Sequence, residues 1–165
     1  MGKPWSSARA IVIGTLVVGV LDGTDAIVFF GLRGVSPLRI FHGIAAGLVG
    51  RDAAAQGGWA TGLLGVFLHF VVAFGIVTVY HVASRWIPAL TRHPVPLGML
   101  YGLAAWVAMN YVVIPLAFGQ PSPHPLAVLA NGWLIHVFGV GLPSALFARA
   151  ARPEQAPGLT RASPA

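Results

Sequence analysis

The chain has no cysteine, one lysine (Lys3) and only 8% charged residues. The missing cysteine excludes disulfides, thiolate nucleophiles, iron–sulfur clusters and zinc–thiolate centres, and leaves the redox compartment unreadable. The shortage of charge excludes more. A soluble domain of 165 residues needs far more polar surface than this, because much of any small fold faces water. What is present instead is 56% AVILMFWYC and 21 glycines, together roughly two thirds of the chain against a usual 45–50%. The composition predicts one integral membrane domain. The net charge of +6 does not point to nucleic acid, because the cations flank apolar stretches and form no stripe with interleaved aromatics. The predominance of Arg over Lys, with abundant Ala, Gly and Pro, looks like a GC-rich bacterial genome.

Gaps between charges mark the crossings, since a helix needs about 20 apolar residues to traverse hydrocarbon. Ala53–Ser84 contains no Lys, Arg, Asp or Glu, and neither do the 56 residues of His93–Ala148. The spacing predicts an all-α membrane protein with four transmembrane helices near 10–31, 59–83, 96–118 and 125–148, arranged as two antiparallel hairpins within a domain 1–149. The proline-rich turn Gly119–Pro125 joins the last two, because its prolines cannot continue a helix. The first span resembles a signal peptide at Lys3, Arg9 and Ile11–Leu21. It continues apolar through Ile27–Phe30, long enough to stay in the membrane. The Met1–Ser6 match to a myristoylation pattern is a chance one in a bacterial polytopic chain. Residues 150–165, with Pro153, Pro157 and Pro164, are expected to be a disordered cytoplasmic tail.

Seven cations (Lys3, Arg9, Arg85, Arg92, Arg149, Arg152, Arg161) fall on one side and three (Arg33, Arg39, Arg51) on the other. That bias predicts both termini in the cytoplasm of a bacterial inner membrane and residues 32–58 outside. Within this first loop Ser36-Pro37 is a helix start, and Leu38, Phe41, Ile44, Ala45, Leu48 and Val49 recur at helical spacing. A helix over 37–50 is expected, lying in the outer interface or dipping in as a re-entrant segment, with Arg39, His42 and Ala46 on its other side.

Two internal correspondences suggest a duplicated hairpin. Gly14 and Gly102 each precede a polar residue by eight positions (Asp22, Asn110), and Gly65 and Gly132 precede a histidine by four (His69, His136). Arg85 and Arg152 then follow each histidine by sixteen. Phe29-Phe30-Gly31-Leu32-Arg33-Gly34, Leu68-His69-Phe70, Met109-Asn110-Tyr111 with Pro115-Leu116, and His136 before Gly141-Leu142-Pro143 resemble a group of small bacterial four-helix membrane proteins. The layout of two hairpins with a long first loop looks like the YagU-like inner-membrane family. Neither resemblance brings an activity, a cofactor or catalytic residues.

An ionisable group inside a span is expensive, and each one needs a partner. Asp22, His69 and His136 fall within roughly 2–3 Å of the middle of their helices and Asn110 about 4–5 Å to the outer side, at 1.5 Å rise per residue. Asp25 and Asn131 lie higher, in the outer leaflet. Asp22 shares a face with Thr15, Val18, Gly19, Asp25 and Ala26. His69 continues the small-residue stripe Gly58, Gly62, Gly65, Ala73 and Ile76, the kind of surface on which membrane helices approach closely. Consecutive helices are therefore expected to pair Asp22 with His69, with His136 across the bundle. Asn131 is about 140° from His136 and is set apart. The pairs Gly43/Gly47, Gly58/Gly62 and Gly98/Gly102 read as close-packing motifs, and His81, His93 and His124 as interfacial side chains.

The expected polar cluster is thus Asp22, Asp25, His69, Asn110 and His136. Cofactors are left open: His69 and His136 suit a bis-histidine haem, and Asp22, Asp25, His69 and His136 suit a divalent first-row metal. No nucleophile motif, zincin helix or phosphate loop is present, so an enzyme is not expected. The sequence leaves two roles open. One is ion or proton handling through the cluster. The other is a structural or accessory subunit, or homo-oligomer, associating in the bilayer through small-residue faces.

Overall fold

The computed structural model describes residues 4–119 and 125–152, among which every regular element is helical. The elements are α1 (Ser7–Gly31), α2 (Pro37–Val49), α3 (Arg51–Gln56), α4 (Gly58–Trp86), α5 (Ala89–Arg92), α6 (Pro94–Ala108), α7 (Ile114–Phe118), α8 (Leu126–Ile135) and α9 (Leu142–Ala150). α6 and α7 are continuous through a π turn at Met109–Val113, as are α8 and α9 through a second at His136–Gly141. Four helices are long and apolar enough to cross a membrane: Ser7–Gly31, Gly58–Trp86, Pro94–Phe118 and Leu126–Ala150. The expected helices match these to within three residues. α1 starts early because Ser6 caps it, its Oγ accepting from the Arg9 amide at 3.2 Å. His124 and residues 153–165 lie outside the described residues.

The four spans run up and down. The Trp5 amide donates to the Ala150 carbonyl at 3.0 Å, and Arg152 Nη2 donates to the Ser84 carbonyl at 2.7 Å. The start of the first span and the ends of the second and fourth therefore share one face of the bundle, the terminal end. Residues 150–152 were expected in a disordered tail. Instead Ala151 is buried and Arg152 is docked, because the guanidinium reaches a carbonyl at the C-terminal end of α4 that the helix itself leaves open. Large apolar side chains such as Leu16, Val20, Phe67, Leu100 and Leu134 point outward, as a bilayer solvent permits. Val18, Ala73, Val77 and Val140 form one small core cluster, and Tyr80, Ala145 and Ala148 a second.

α2 begins as its sequence dictates, with Ser36 Oγ accepting from the Arg39 amide and Pro37 in the first turn. It does not cap the bundle from above. The Phe41 backbone packs on Gly65, seven residues into α4, or about 10 Å along the helix axis. Leu38 packs near Gly62, and Gly47 meets Ala117 and Phe118 at the far end of the third span. α2 is therefore wedged beside the second and third spans at the end opposite the termini. Only glycine at 65 tolerates this approach, since a Cβ would collide with the Phe41 carbonyl. Arg39 is exposed. His42, expected on the polar side, instead donates through Nε2 to the Gly58 carbonyl at 2.7 Å, because the wedge brings that face against the start of α4.

The wedge also divides the small-residue stripe of α4. Gly62 and Gly65 take α2, while His69, Ala73 and Val77 meet α1. Gly43 and Gly58, expected in close-packing pairs, have no atom near a built Cβ. Gly98 and Gly102 do pack closely, against the π turn of the fourth span, where the His136 carbonyl occupies the space a Gly102 side chain would need. Each π turn precedes a proline, Pro115 or Pro143. Proline lacks an amide proton and collides with the carbonyl four residues back, here Tyr111 or Gly139. Widening the preceding turn, so that the Ile114 amide reaches Met109 and Leu142 reaches Val137, relieves that collision. The first two spans carry no such turn, so the two hairpins differ in shape.

Candidate functional site

α1 meets α4 where α1 is thin. Gly19 and Gly23 on α1 bracket the His69 ring: its Nε2 lies 2.8 Å from the Gly19 carbonyl and 3.2 Å from where a Gly23 Cβ would stand. A carbonyl only accepts, so Nε2 carries a proton and donates it. The other nitrogen, Nδ1, then faces Asp22 Oδ2 at 3.9 Å. Phe41 from α2 and Phe70 wall the imidazole edge-on. The Asp22 side chain is 28% exposed and that of His69 only 12%, so the acid is the open member of the pair.

His136 opens the π turn of the fourth span, and its Nδ1 lies 2.9 Å from the Gly132 carbonyl. By the same reasoning Nδ1 donates, and Nε2 is the nitrogen left to accept. His136 and Asp22 together line two adjoining cavities. The first, of about 220 Å³, lies at mid-bundle and is bounded also by His69, Asn110, Ala73 and Ile44 of α2. The second, of about 210 Å³, lies nearer the α2 end and is bounded also by Asp25, Asn131, Phe29 and Trp106. Asn110, in the π turn of the third span, borders both and donates through Nδ2 to the Trp106 carbonyl at 2.9 Å.

Asp25 is met by a residue that sequence reasoning set apart. Asn131 Nδ2 donates to Asp25 Oδ2 at 2.6 Å. The angular argument set Asn131 apart from His136, yet both line the second cavity. It did not follow that Asn131 points away from the site, because the same helix presents His136 to Asp22 and, one level higher, Asn131 to Asp25. Their shared depth was the available signal. The two π turns had a signal as well, the prolines Pro115 and Pro143 inside apolar spans.

Other expectations change. Among the described residues no three His, Asp or Glu side chains converge as metal ligands, so Asp22, Asp25, His69 and His136 do not assemble a metal centre; the acids lie at two levels with different partners. A bis-histidine haem is likewise unsupported, since His69 spends Nε2 on Gly19 and turns Nδ1 to Asp22. His81, expected among the interfacial side chains, is 5% exposed and turned into the bundle; neither ring nitrogen has a hydrogen-bond partner among the described residues. It lies on the face of α4 that carries Val77, Tyr80 and Ser84 into the bundle. His93 is exposed, at the start of α6.

Chemically, the pair of Asp22 and His69 is a place for one proton. With Nε2–H committed to Gly19, the gap between Oδ2 and Nδ1 holds two acceptors unless a proton sits on one of them. On the acid it gives a neutral pair, and on the imidazole an ion pair. His136 Nε2 offers a second basic site on the same cavity. The chain matches no protein-family model, no curated protein and no solved structure.

Proposed function

We propose that this is a proton-handling protein of a bacterial inner membrane, with both termini in the cytoplasm, in which Asp22 and His69 hold one exchangeable proton and His136 shares it. The observation that carries this reading is the orientation of His69. Its Nε2 is anchored on Gly19 and its Nδ1 is turned on Asp22 at 3.9 Å, so that two acceptors face each other with room for a proton on either. Pure helix adhesion needs no second acceptor facing an acid. The reading as a structural or accessory subunit draws on small-residue faces. The tightest of these, Gly65 of α4 against α2 and Gly98 with Gly102 of α6 against the fourth span, are occupied within the chain.

The test is a pH titration of the carboxyl infrared bands in detergent-purified protein. A titrating band lost in Asp22→Asn, with helical content and thermal midpoint retained, supports proton handling. An Asp22→Asn protein whose pH-dependent spectrum equals that of the parent removes it. Orientation is tested separately. A cysteine introduced at Ser6 is expected to react with an impermeant thiol reagent only from the cytoplasmic side, with no native cysteine to interfere.

A further inference from the structure

The cavity nearer the α2 end is unlike the one at mid-bundle. Its walls combine the carboxyl groups of Asp22 and Asp25 with the rings of Phe29, Phe30 and Trp106, together with Asn131 and His136. Two acids in an apolar bundle call for positive charge. Among the described residues no arginine or lysine forms an ion pair with either. Arg33, the nearest arginine along the chain, turns elsewhere: its guanidinium lies over the Phe29 ring, 3.6 Å from the centroid, and donates to the Phe29 carbonyl at 2.7 Å. Of the two imidazoles beside the acids, His69 faces only Asp22, and His136, which lines this cavity, lies beyond ion-pair distance of both. Asp25 is held by a neutral amide, which fixes its orientation without offsetting its charge.

From this we infer that the cavity binds a small organic ammonium ion, with the cationic nitrogen between the Asp22 and Asp25 carboxylates and its alkyl groups against Phe29, Phe30 and Trp106. Aromatic faces attract alkylammonium ions through the ring quadrupole, most strongly where water is excluded, and Phe29 already takes a cation on one face. The size of the ligand follows from the volume. About 210 Å³ falls below the roughly 300–1,000 Å³ of sites for drug-sized molecules, so the occupant is a compact ion. A divalent metal fits poorly: calcium takes about six to eight oxygen ligands, here two carboxylates, two amides and one imidazole line the cavity, and among the described residues no three His, Asp or Glu side chains converge.

The inference rests on the reading of Asp22 as an exchangeable acid in one respect only. A cation entering beside a protonated Asp22 displaces its proton, so binding is coupled to proton release. The cation site itself depends on Asp25 and the rings.

The experiment uses choline chloride and its uncharged isostere 3,3-dimethyl-1-butanol, each titrated by calorimetry into the purified full-length chain in weakly buffered detergent solution with a pH indicator. Choline is expected to bind at least about tenfold more tightly than the alcohol, a difference of about 1.4 kcal/mol or more. Asp25→Asn and Phe29→Leu should each weaken choline about tenfold while Asp25→Glu retains it, with circular dichroism checking that each variant is folded. Equal binding of alcohol and choline, no binding of either, displacement of choline by equimolar sodium or potassium, or insensitivity to Asp25→Asn overturns the site. Choline binding without release of a proton leaves the cation site standing and overturns the proton reading. Proton release abolished by Asp22→Asn is the expected result.

Discussion

His69 stands between two atoms of α1 only three residues apart: it donates through Nε2 to the Gly19 carbonyl at 2.8 Å and turns Nδ1 to Asp22 Oδ2 at 3.9 Å. Gly19 and Asp22 lie one helical turn apart, so a single imidazole spans both only where the helices nearly touch. Interhelical hydrogen bonds in membrane bundles contribute about 0.6 kcal/mol on average and up to about 1.7. That is small beside the cost of an unpaired acid at the same depth, about 2.5–3.5 kcal/mol on the insertion scale. The pair therefore matters more for what it lets Asp22 be than for holding helices together.

Gly23→Ala tests the positioning without touching an ionisable group. The new methyl would stand 3.2 Å from His69 Nε2, so the ring must shift away from the Gly19 carbonyl. The Asp22-dependent infrared titration is expected to move while the thermal midpoint changes little, because alanine improves helix propensity by up to about 1 kcal/mol. An unmoved titration would show that His69 does not set the state of Asp22.

Gly65→Ala should be severe for α2. Its methyl meets the Phe41 backbone, which has no rotamer to change. Overpacking costs about 1–3 kcal/mol, and α2 is expected to lift from the second span. Proteolysis or hydrogen exchange in residues 37–49 would rise selectively. Gly43→Ala, on the exposed side with nothing near, is the matched control and should be neutral or slightly stabilising.

Gly102→Ala is predicted to couple stability to the site. The methyl collides with the His136 carbonyl, so a loss of about 1–3 kcal/mol should come with a changed His136 imidazole resonance. A stability loss with His136 unperturbed would mean that the π turn yields elsewhere.

His81→Leu runs against the usual rule for buried histidine. Neither ring nitrogen has a partner among the described residues, and an unsatisfied buried polar group costs about 1–3 kcal/mol. An apolar side chain of similar volume should leave the thermal midpoint unchanged or raise it. A clear fall would reveal a partner for the imidazole.

What the sequence by itself determined is the class, the number of spans and the depth of each polar group. Those depend on quantities that add along the chain: apolar length sets the crossings, and rise per residue sets the level of Asp22, His69, Asn110 and His136. The start of α2 was legible too, because Ser36 and Pro37 act locally. Tertiary structure decided which groups face each other and with which atom. α2 enters beside α4 and takes Gly62 and Gly65, leaving His69 to α1, and nothing in the periodicity of either helix states how deep a separate segment will wedge. Pro115 and Pro143 widen their preceding turns, which changes the helical phase that face assignments assume to be constant. Asn131 joined Asp25 and His81 was buried because neighbouring spans pack against them. Depth is a property of one helix, whereas partnership is a property of two backbones close enough for a carbonyl to meet a glycine.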